Sequence, residues 1–233
     1  LDLVQFHWWD YDVPGYVEAA LHLDALRNAG KISQIGVTNF DVAHLAELLE
    51  AGVPIVSNQV QYSVLDHRPE RAMVEFCERH GVTLLCYGTV AGGFLSERYL
   101  DAPEPDLPCE NRSLIKYKLI IDEFGGWELF QHLLRTMRDI GLRHGVSIAT
   151  VATRYVLQKK GVGAAIVGAR HARHLPDTLR LFSFKLSEED VCAIERVTNQ
   201  AQGPEGHIYG LERVKGGKHA AIMKYNLNQP SEP

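Results

Sequence analysis

The sequence lacks the features that are typical of nucleic-acid-binding proteins and of membrane proteins. Its 24 Lys and Arg residues are fewer than its 29 Asp and Glu residues, which gives a formal net charge of −5. That balance offers no basic surface for nucleic acid or for an anionic membrane. No apolar run approaches the roughly 20 residues that a membrane-spanning helix needs. We therefore expect neither nucleic acid nor a membrane among the partners of this protein.

Cysteine is also scarce, and its spacing argues against two further kinds of site. The four cysteines, Cys77, Cys86, Cys109 and Cys192, lie far apart and form no CxxC pair. This spacing predicts neither a zinc site nor a disulfide framework. Residues 1–15 also lack the basic start and the apolar stretch of a secretory signal. Reduced thiols, no bound metal and a cytoplasmic location are therefore expected.

What the sequence does contain is a regular alternation of short apolar runs and amphipathic stretches. Runs that are apolar at successive positions are typical of strands buried on both faces. The first run lies in LDLVQFHWWD and ends at His7, and further strands are predicted over 32–37, 55–60, 82–87 and 163–167. Helices are predicted over 17–29, 41–49, 69–80, 114–121, 127–144, 148–159, 174–182 and 187–197. The predicted N-caps are Asp41, Ser147 and Ser187, the last paired with Asp190 in a capping box.

This alternation indicates parallel strands joined by crossover helices. An open doubly wound sheet is one candidate, but no GxGxxG follows any predicted strand. A (β/α)8 TIM barrel is preferred, although a closed barrel needs about 250 residues and eight strands. We expect this chain to supply about the last five strand–helix units, with roughly three units preceding them. Residues 1–202 are predicted to form this portion of the barrel, and residues 203–233 a glycine-rich tail.

Several motifs at the predicted strand ends resemble those of the aldo-keto reductase superfamily. They occur in the family's order: the strand that ends at His7, GKI leading to GVTNF, SNQVQY, YG followed by GGFLS, and IVGAR. The resemblance runs from residue 1 to about residue 198. It implies a (β/α)8 barrel that uses NADPH to reduce an aldehyde or a ketone by hydride transfer.

The resemblance implies one catalytic residue in this chain, His7. The family's site consists of Asp, Tyr, Lys and His, and we assign the first three to no residue of this sequence. Hydride addition builds negative charge on the carbonyl oxygen, which a fixed N–H donor of a neutral imidazole stabilises. Taken alone, His7 is better explained as a histidine at a strand end that bonds a backbone carbonyl, and the resemblance reverses this preference.

Other strand-end residues match the family's cofactor-binding positions. The resemblance implies contacts from Thr38, Asn39 and Gln59 to the nicotinamide carboxamide, which amide side chains suit because they both donate and accept. It implies that Tyr87, followed by Gly88, stacks on the nicotinamide ring. Capping of neighbouring loops and ordinary core packing are the alternatives for these side chains.

The adenosine end of the cofactor is expected at the last strand. A guanidinium group beside a helix amino end suits a phosphate, which favours NADPH over NADH. The positions matched there are Gly168, Ala169, Arg170, His174, Asp177 and Thr178. A solvated surface charge is the alternative for Arg170.

Three functions are compatible with this sequence. The first is an NADPH-dependent reductase of a small carbonyl compound, with an oligomeric state that the sequence does not indicate. The second is a non-catalytic relative of the family that binds nucleotide or a partner protein, because the Asp, Tyr and Lys are unassigned. The third and weakest is an unrelated barrel hydrolase, because this sequence lacks the pair of carboxylates at strand ends that glycoside chemistry needs.

Overall fold

The predicted apolar runs form one parallel sheet in the computed structural model of the protein, which describes residues 1–106, 109, 111–169 and 172–223. Within these residues the sheet has five strands. They are β1 Leu3–His7, β2 Gln34–Thr38, β3 Ile55–Gln61, β4 Thr83–Tyr87 and β5 Val162–Ala165. The predicted parallel α/β arrangement is therefore confirmed.

The strands neighbour one another in chain order from β1 to β5, and every pair is parallel. An open doubly wound sheet reverses its strand order at a switch point, whereas a barrel does not. The order observed here is that of a barrel. His7 pairs with Thr38, Thr38 with Gln59, and Gln61 with Tyr87. The carboxyl ends of the strands therefore meet along one rim of the sheet.

Helices follow the strands and cover one face of the sheet. Their bounds are α1 Tyr16–Asn28, α2 Val42–Glu50, α3 Arg68–Arg71, α4 Met73–His80, α5 Arg112–Phe124, α6 Gly126–His144, α7 Ile148–Leu157, α8 Leu175–Leu179, α9 Glu188–Thr198, α10 Gly210–Arg213 and α11 Lys218–Ala221. The long helix α6 packs against α5, α7 and α9. None of the helices in the described part of the chain is both long enough and apolar enough to cross a membrane.

The predicted caps are confirmed, and they explain where three helices begin. The side chain of Asp41 accepts a hydrogen bond from the backbone of α2, and that of Ser147 accepts one from α7. Ser187 and Asp190 form the reciprocal capping box of α9. Each cap satisfies backbone donors that the first turn of a helix otherwise leaves unpaired. These helix starts are therefore fixed by local sequence.

Three predicted helices differ most from those observed, and the ends of several other elements are shifted by one or two residues. The helix predicted over 69–80 is divided between α3 and α4, because Ala72 leaves the helical region and lets Met73 enter the core. The helix predicted over 174–182 is the short α8 between two 3-10 turns. Its apolar side chains at 175, 179 and 182 stay exposed, and Leu181 alone is buried, which is too little for an amphipathic helix. The helix predicted over 114–121 extends over Arg112–Phe124.

The segment that follows α9 crosses the rim instead of leaving the body of the protein. Ile208, Tyr209 and Glu212 are all buried there. The sequence predicts residues 203–233 as a separate tail, and this division stays a prediction. Of that tail, residues 224–233 lie outside the described residues. The part that is described places three side chains, at 209, 212 and 213, next to the strand ends.

Candidate active site

His7 lies at the carboxyl end of β1, where solvent reaches its side chain. Its ring is 5.8 Å from that of Trp9 and 6.2 Å from that of Tyr209, both centroid to centroid and both edge-on. Partial desolvation by these neighbours and the positive charge of Arg213 lower the pKa of His7 below its usual value. His7 is therefore a neutral imidazole at neutral pH, and it can donate an N–H to a carbonyl oxygen.

The side chains of His7, Thr38 and Gln59 share one face of the sheet. They are register partners on adjacent strands, and register partners in a parallel sheet point the same way. The neighbouring row points to the helices, because the side-chain amide of Asn58 bonds the carbonyl of Phe40 and reaches Met73 of α4. His7, Thr38 and Gln59 therefore face away from the helices, into the concave side of the sheet.

Asn39 joins this group through its unusual backbone. Its φ of 58° lies in the left-handed region, which asparagine tolerates better than most residues. Its backbone N–H donates to the carbonyl of Gln59 over 2.9 Å, and its Oδ1 accepts from the hydroxyl of Tyr87 over 2.9 Å. The structure thus brings together four of the residues predicted for the nicotinamide end, Thr38, Asn39, Gln59 and Tyr87.

Tyr87 is a neutral phenol with a cation over its ring. Burial, followed by the neighbouring tyrosines and Glu212, raises its pKa well above the usual value. The Nζ atom of Lys116, from α5, lies 5.4 Å from the centre of this ring and 3.4 Å from Oε1 of Glu212. A planar group stacked on Tyr87 would share the space over the ring with Lys116. The stacking role of Tyr87 stays a prediction.

Gly88, which follows Tyr87, is a position where only glycine fits. Its φ is +76°, and a Cβ atom built there would lie 2.3 Å from the hydroxyl oxygen of Tyr117. A glycine is the residue that accommodates both the positive φ and the close approach of the α5 side chain. Gly88 therefore allows the chain to turn after β4 while Tyr117 packs against it, and its predicted contact with a cofactor stays a prediction.

A second group of predicted residues lines a groove beyond the ends of β4 and β5. The groove has a volume of about 520 Å³, which lies within the range of small-molecule sites. Its lining includes Gly168, His174, Asp177 and Thr178 together with Gly93, Ser96 and Arg98. Ala169 is exposed next to Gly168, and Arg170 lies outside the described residues.

The polar groups of this groove fit the adenosine end of a nucleotide. The carboxylate of Asp177 accepts from the hydroxyls of Ser147 and Thr150, so the amino end of α7 fixes its position. A side chain added at Gly168 would meet nothing within 4 Å, which leaves open space beside the backbone. Hydroxyl, carboxylate, imidazole and guanidinium groups thus surround a space large enough for part of a dinucleotide.

Three residues of the site were not identified from the sequence: Lys116, Tyr209 and Arg213. In the sequence, Lys116 is one charge in an amphipathic helix, and Tyr209 and Arg213 lie in the glycine-rich segment predicted as a tail over residues 203–233. In the structure the guanidinium of Arg213 bonds backbone carbonyls at the ends of β1 and β2, and Tyr209 contacts His7. No local pattern marks these residues, because their contacts cross long separations in sequence.

A buried cluster of charges fastens the 209–213 segment beneath the rim. Arg68 pairs with Asp66 over 2.7 Å and with Glu212 over 3.5 Å, and the side chains of all three are almost fully buried. Burial would raise the pKa of Asp66, but the charge and hydrogen bonds of Arg68 outweigh it and lower that pKa. Within the described residues no group of three or more His, Cys, Asp or Glu side chains is placed to hold a metal ion.

Comparisons with known proteins identify the family of this chain. The model of the family described as "Aldo/keto reductase family" matches residues 1–199. Flagellar radial spoke protein 5 of Chlamydomonas reinhardtii is 34% identical over 174 residues, which are 66% of this chain and 33% of that protein. Aldo-keto reductase YhdN of Bacillus subtilis is 26% identical over 209 residues, which are 88% of this chain and 61% of that protein.

A solved structure supports the fold in the same way. The glycerol dehydrogenase of Gluconobacter oxydans is similar with a TM-score of 0.75 and 22% sequence identity, over 88% of this chain and 61% of that chain. The structures that this chain resembles are aldo-keto reductase barrels, so the predicted fold class is confirmed. The chain spans between a third and about three fifths of the length of these two curated relatives.

Proposed function

The chain belongs to the aldo/keto reductase family, and from this membership we propose that it is part of an NADPH-dependent oxidoreductase that reduces an aldehyde or a ketone by hydride transfer. The observation that carries the proposal is the shared rim. His7, Thr38 and Gln59 lie in one row on the concave side of the sheet, and Asn39 and Tyr87 are bonded beside them. Residues that the family resemblance selected one by one are thus close together in space.

In this proposal each residue of the rim has a distinct task. NADPH, when bound, supplies the hydride. The N–H of neutral His7 holds the carbonyl oxygen and stabilises the negative charge that develops on it. Asn39 and Gln59 hold the carboxamide of the nicotinamide, which needs both a donor and an acceptor. The side chain that protonates the product oxygen is assigned to no residue of this chain.

The groove beyond β4 and β5 holds the adenosine end in the same proposal. Gly168, His174, Asp177 and Thr178 line it, and Ala169 adjoins it. The proposed preference for NADPH over NADH depends only on the presence of Arg170 in the sequence, because a guanidinium group suits a 2′-phosphate. We propose the cytoplasm as the location, in keeping with four free cysteines, and neither nucleic acid nor a membrane as a partner.

The test compares cofactor binding with turnover in the full-length protein. We expect His7→Ala to lower the rate of aldehyde reduction by about a hundredfold or more, since one donor to the developing oxyanion is lost. NADPH affinity, measured by fluorescence titration, should stay within about threefold of the unaltered protein. Asn39→Ala should show the reverse pattern, with weaker NADPH binding.

His22→Ala is the matched control, because His22 is an exposed histidine of α1, away from the rim. It should change neither the rate of reduction nor NADPH affinity. Turnover that survives in His7→Ala at the level of the control would remove His7 from the reaction. Absence of NADPH binding to the unaltered full-length protein would remove the reductase proposal itself.

A non-catalytic binding protein is the second candidate, and two observations favour it. The space over the Tyr87 ring is approached by the Lys116 ammonium, and one relative is named as a flagellar radial spoke protein. This candidate requires NADPH binding, or binding of a partner protein, without reduction of any aldehyde. Measurable aldehyde-dependent oxidation of NADPH by the full-length protein would exclude it.

A further inference from the structure

The side chain of Arg213 bonds backbone carbonyls at the ends of two strands of the rim. Its Nε donates to the carbonyl of Trp9 over 3.2 Å, and its Nη2 donates to the carbonyls of Trp8 over 3.3 Å and Asn39 over 3.0 Å. Trp8 and Trp9 directly follow His7, and Asn39 directly follows β2. One guanidinium group therefore bridges the ends of two adjacent strands.

The guanidinium is held in this orientation by aromatic rings. Its central carbon lies 4.1 Å from the centre of the Tyr11 ring and 5.3 Å from that of the Tyr209 ring. Planar guanidinium groups stack favourably on aromatic faces, and they form several directed hydrogen bonds at once. A lysine ammonium at this position would keep the charge but could not reproduce this planar, multidentate arrangement.

The bridge acts on both halves of the proposed site. It fixes the carbonyl of Asn39, a residue whose left-handed backbone needs support from its surroundings. The amide oxygen of the same residue receives the Tyr87 hydroxyl. On the other strand it places a permanent positive charge near His7, where a second positive charge on the imidazole is unfavourable.

We propose that Arg213 is a positioning residue of the site, which orients the Asn39 amide for the cofactor and sets the electrostatic surroundings of the His7 imidazole. This inference rests on the proposed function for its cofactor. Its structural part, the effect of Arg213 on His7 and Asn39, does not depend on NADPH. The C-terminal segment is in this view a functional part of the rim.

The first measurement is a pH titration of His7, in which NMR reports the imidazole in the unaltered full-length protein without NADPH. The titratable or charged groups at this part of the rim are Tyr209 and Arg213 from the C-terminal segment, Asp10 on its own loop, and Lys116, which contacts the Tyr209 ring. None of these four groups has an ordinary pKa between pH 5 and 8, whereas an imidazole has. A change in that range therefore reports His7.

Three variants separate the charge of Arg213 from its geometry. Arg213→Met removes both, and we expect the pKa of His7 to rise and NADPH affinity to fall about tenfold or more, since charge-assisted hydrogen bonds are lost. Arg213→Lys keeps the charge, so the His7 titration should stay near that of the unaltered chain while NADPH affinity still falls. Lys215→Met removes an equal charge two residues away, from an exposed pair with Asp12, and should change neither.

The outcomes decide the proposal in each case. An unchanged His7 titration in Arg213→Met, or NADPH affinity in Arg213→Lys equal to that of the unaltered chain, overturns it. If Arg213→Met does not fold, Arg213→Lys still decides the proposal. Its NADPH affinity should fall, and hydrogen exchange at the backbone N–H of Asn39 should become faster. If the unaltered full-length protein does not bind NADPH, the proposed function fails, and the His7 titration alone decides whether Arg213 positions the imidazole.

Discussion

Asp190 shows how much one buried side chain does at the start of a helix. Its carboxylate accepts from the backbone of Ser187, from Arg143 and from Nε2 of His144, and only 3% of its side chain is exposed. Burial alone would raise its pKa, but the hydrogen bonds from His144, Arg143 and Ser187 outweigh it and set the pKa well below the usual value. Asp190 therefore stabilises the fold as a carboxylate.

We predict that Asp190→Asn lowers the free energy of unfolding by about 1–2 kcal/mol at pH 7, as the loss of a good helix cap does. A carboxyl whose pKa is lowered by folding stabilises the protein above its unfolded-state value of about 3.9, and this stabilisation is lost as the pH falls further. The difference in urea midpoint between the two proteins should therefore shrink between pH 5 and pH 3.

Asp139→Asn is the matched control, because that carboxylate pairs with Arg138 on an exposed surface of α6. It should leave the urea midpoint nearly unchanged at both pH values. Equal midpoints for Asp190→Asn and the unaltered chain at pH 7 would show that the buried contacts contribute no stability.

The single-residue features that could be predicted from the sequence are those whose partners lie close together along the chain. The capping box of Ser187 and Asp190 spans three residues, so its spacing was readable. The partners Arg143 and His144 come from α6, more than forty residues earlier, and nothing local marks them. The same holds for the site, where Asn39 and Gln59 lie at the ends of predicted strands but Arg213 is placed by tertiary contacts alone.

At the scale of elements, strands β2 and β3 approach so closely that one position requires glycine. A Cβ atom built at Gly36 would lie 2.3 Å from Oγ of Ser57, its register partner, and 3.3 Å from the Ser57 carbonyl. Both residues point to the concave side of the sheet, on the same face as the site. The pair lies on the two strands that carry Thr38 and Gln59.

We predict that Gly36→Ala lowers the free energy of unfolding by about 1–3 kcal/mol, as overpacking of a core does. Adding Ser57→Gly to Gly36→Ala should recover part of the loss, since it removes the side chain that the new methyl group meets. A double-mutant cycle from chemical denaturation gives the coupling between the two positions.

Gly168→Ala serves as the control for that cycle, because a Cβ atom there meets nothing within 4 Å. Its free energy of unfolding should stay close to that of the unaltered chain. Simple additivity of the two substitutions at Gly36 and Ser57 would contradict the close contact between the strands.

The elements themselves were predictable where a local pattern decides them. Buried apolar runs gave the positions of the strands to within a few residues, and Asp41, Ser147 and Ser187 gave three helix starts. The break at Ala72 was not readable, because it depends on how Met73 packs in the core. The end of β5 at Ala165 was not readable either, although the next residue, Ile166, still donates to the carbonyl of Cys86.

At the scale of the whole molecule, the outer strands β1 and β5 each have one neighbour within the described part of the sheet. The side chains of Leu1 and Leu3 are 82% and 40% exposed at β1, and Ile166 is 45% exposed just beyond β5. An apolar strand with unpaired backbone groups is a template for pairing with another chain. This chain studied by itself should therefore associate.

We predict concentration-dependent self-association of the 233-residue chain, detectable by sedimentation velocity at micromolar concentrations. Leu3→Lys should weaken it, because a charge on an edge strand opposes pairing. Leu142→Lys, at a position 73% exposed on α6, is the matched control and should leave association unchanged. A monomer at all concentrations would indicate that neither edge is available.

The parallel sheet was predictable from the alternation of strands and helices. Its sequential strand order was predicted from the missing GxGxxG and from the family resemblance, because the alternation alone also allows a doubly wound sheet. The route of residues 203–223 over the rim was not, because glycine-rich basic sequence gives no periodic signal. The whole molecule thus joins a locally encoded sheet to a segment whose place is set by a few long-range contacts, of which Arg213 makes three.

The bond between Arg213 and the carbonyl of Trp9 joins residues 204 positions apart. A ribosome that adds about 5–20 residues per second needs roughly 10 to 40 seconds to cover that separation. During this time a nascent chain already carries its imidazole and its strand-end amides but not the bridge between them. Completion of the rim therefore waits for translation to pass Arg213, and a polypeptide released before that point carries His7 without the group that orients its surroundings.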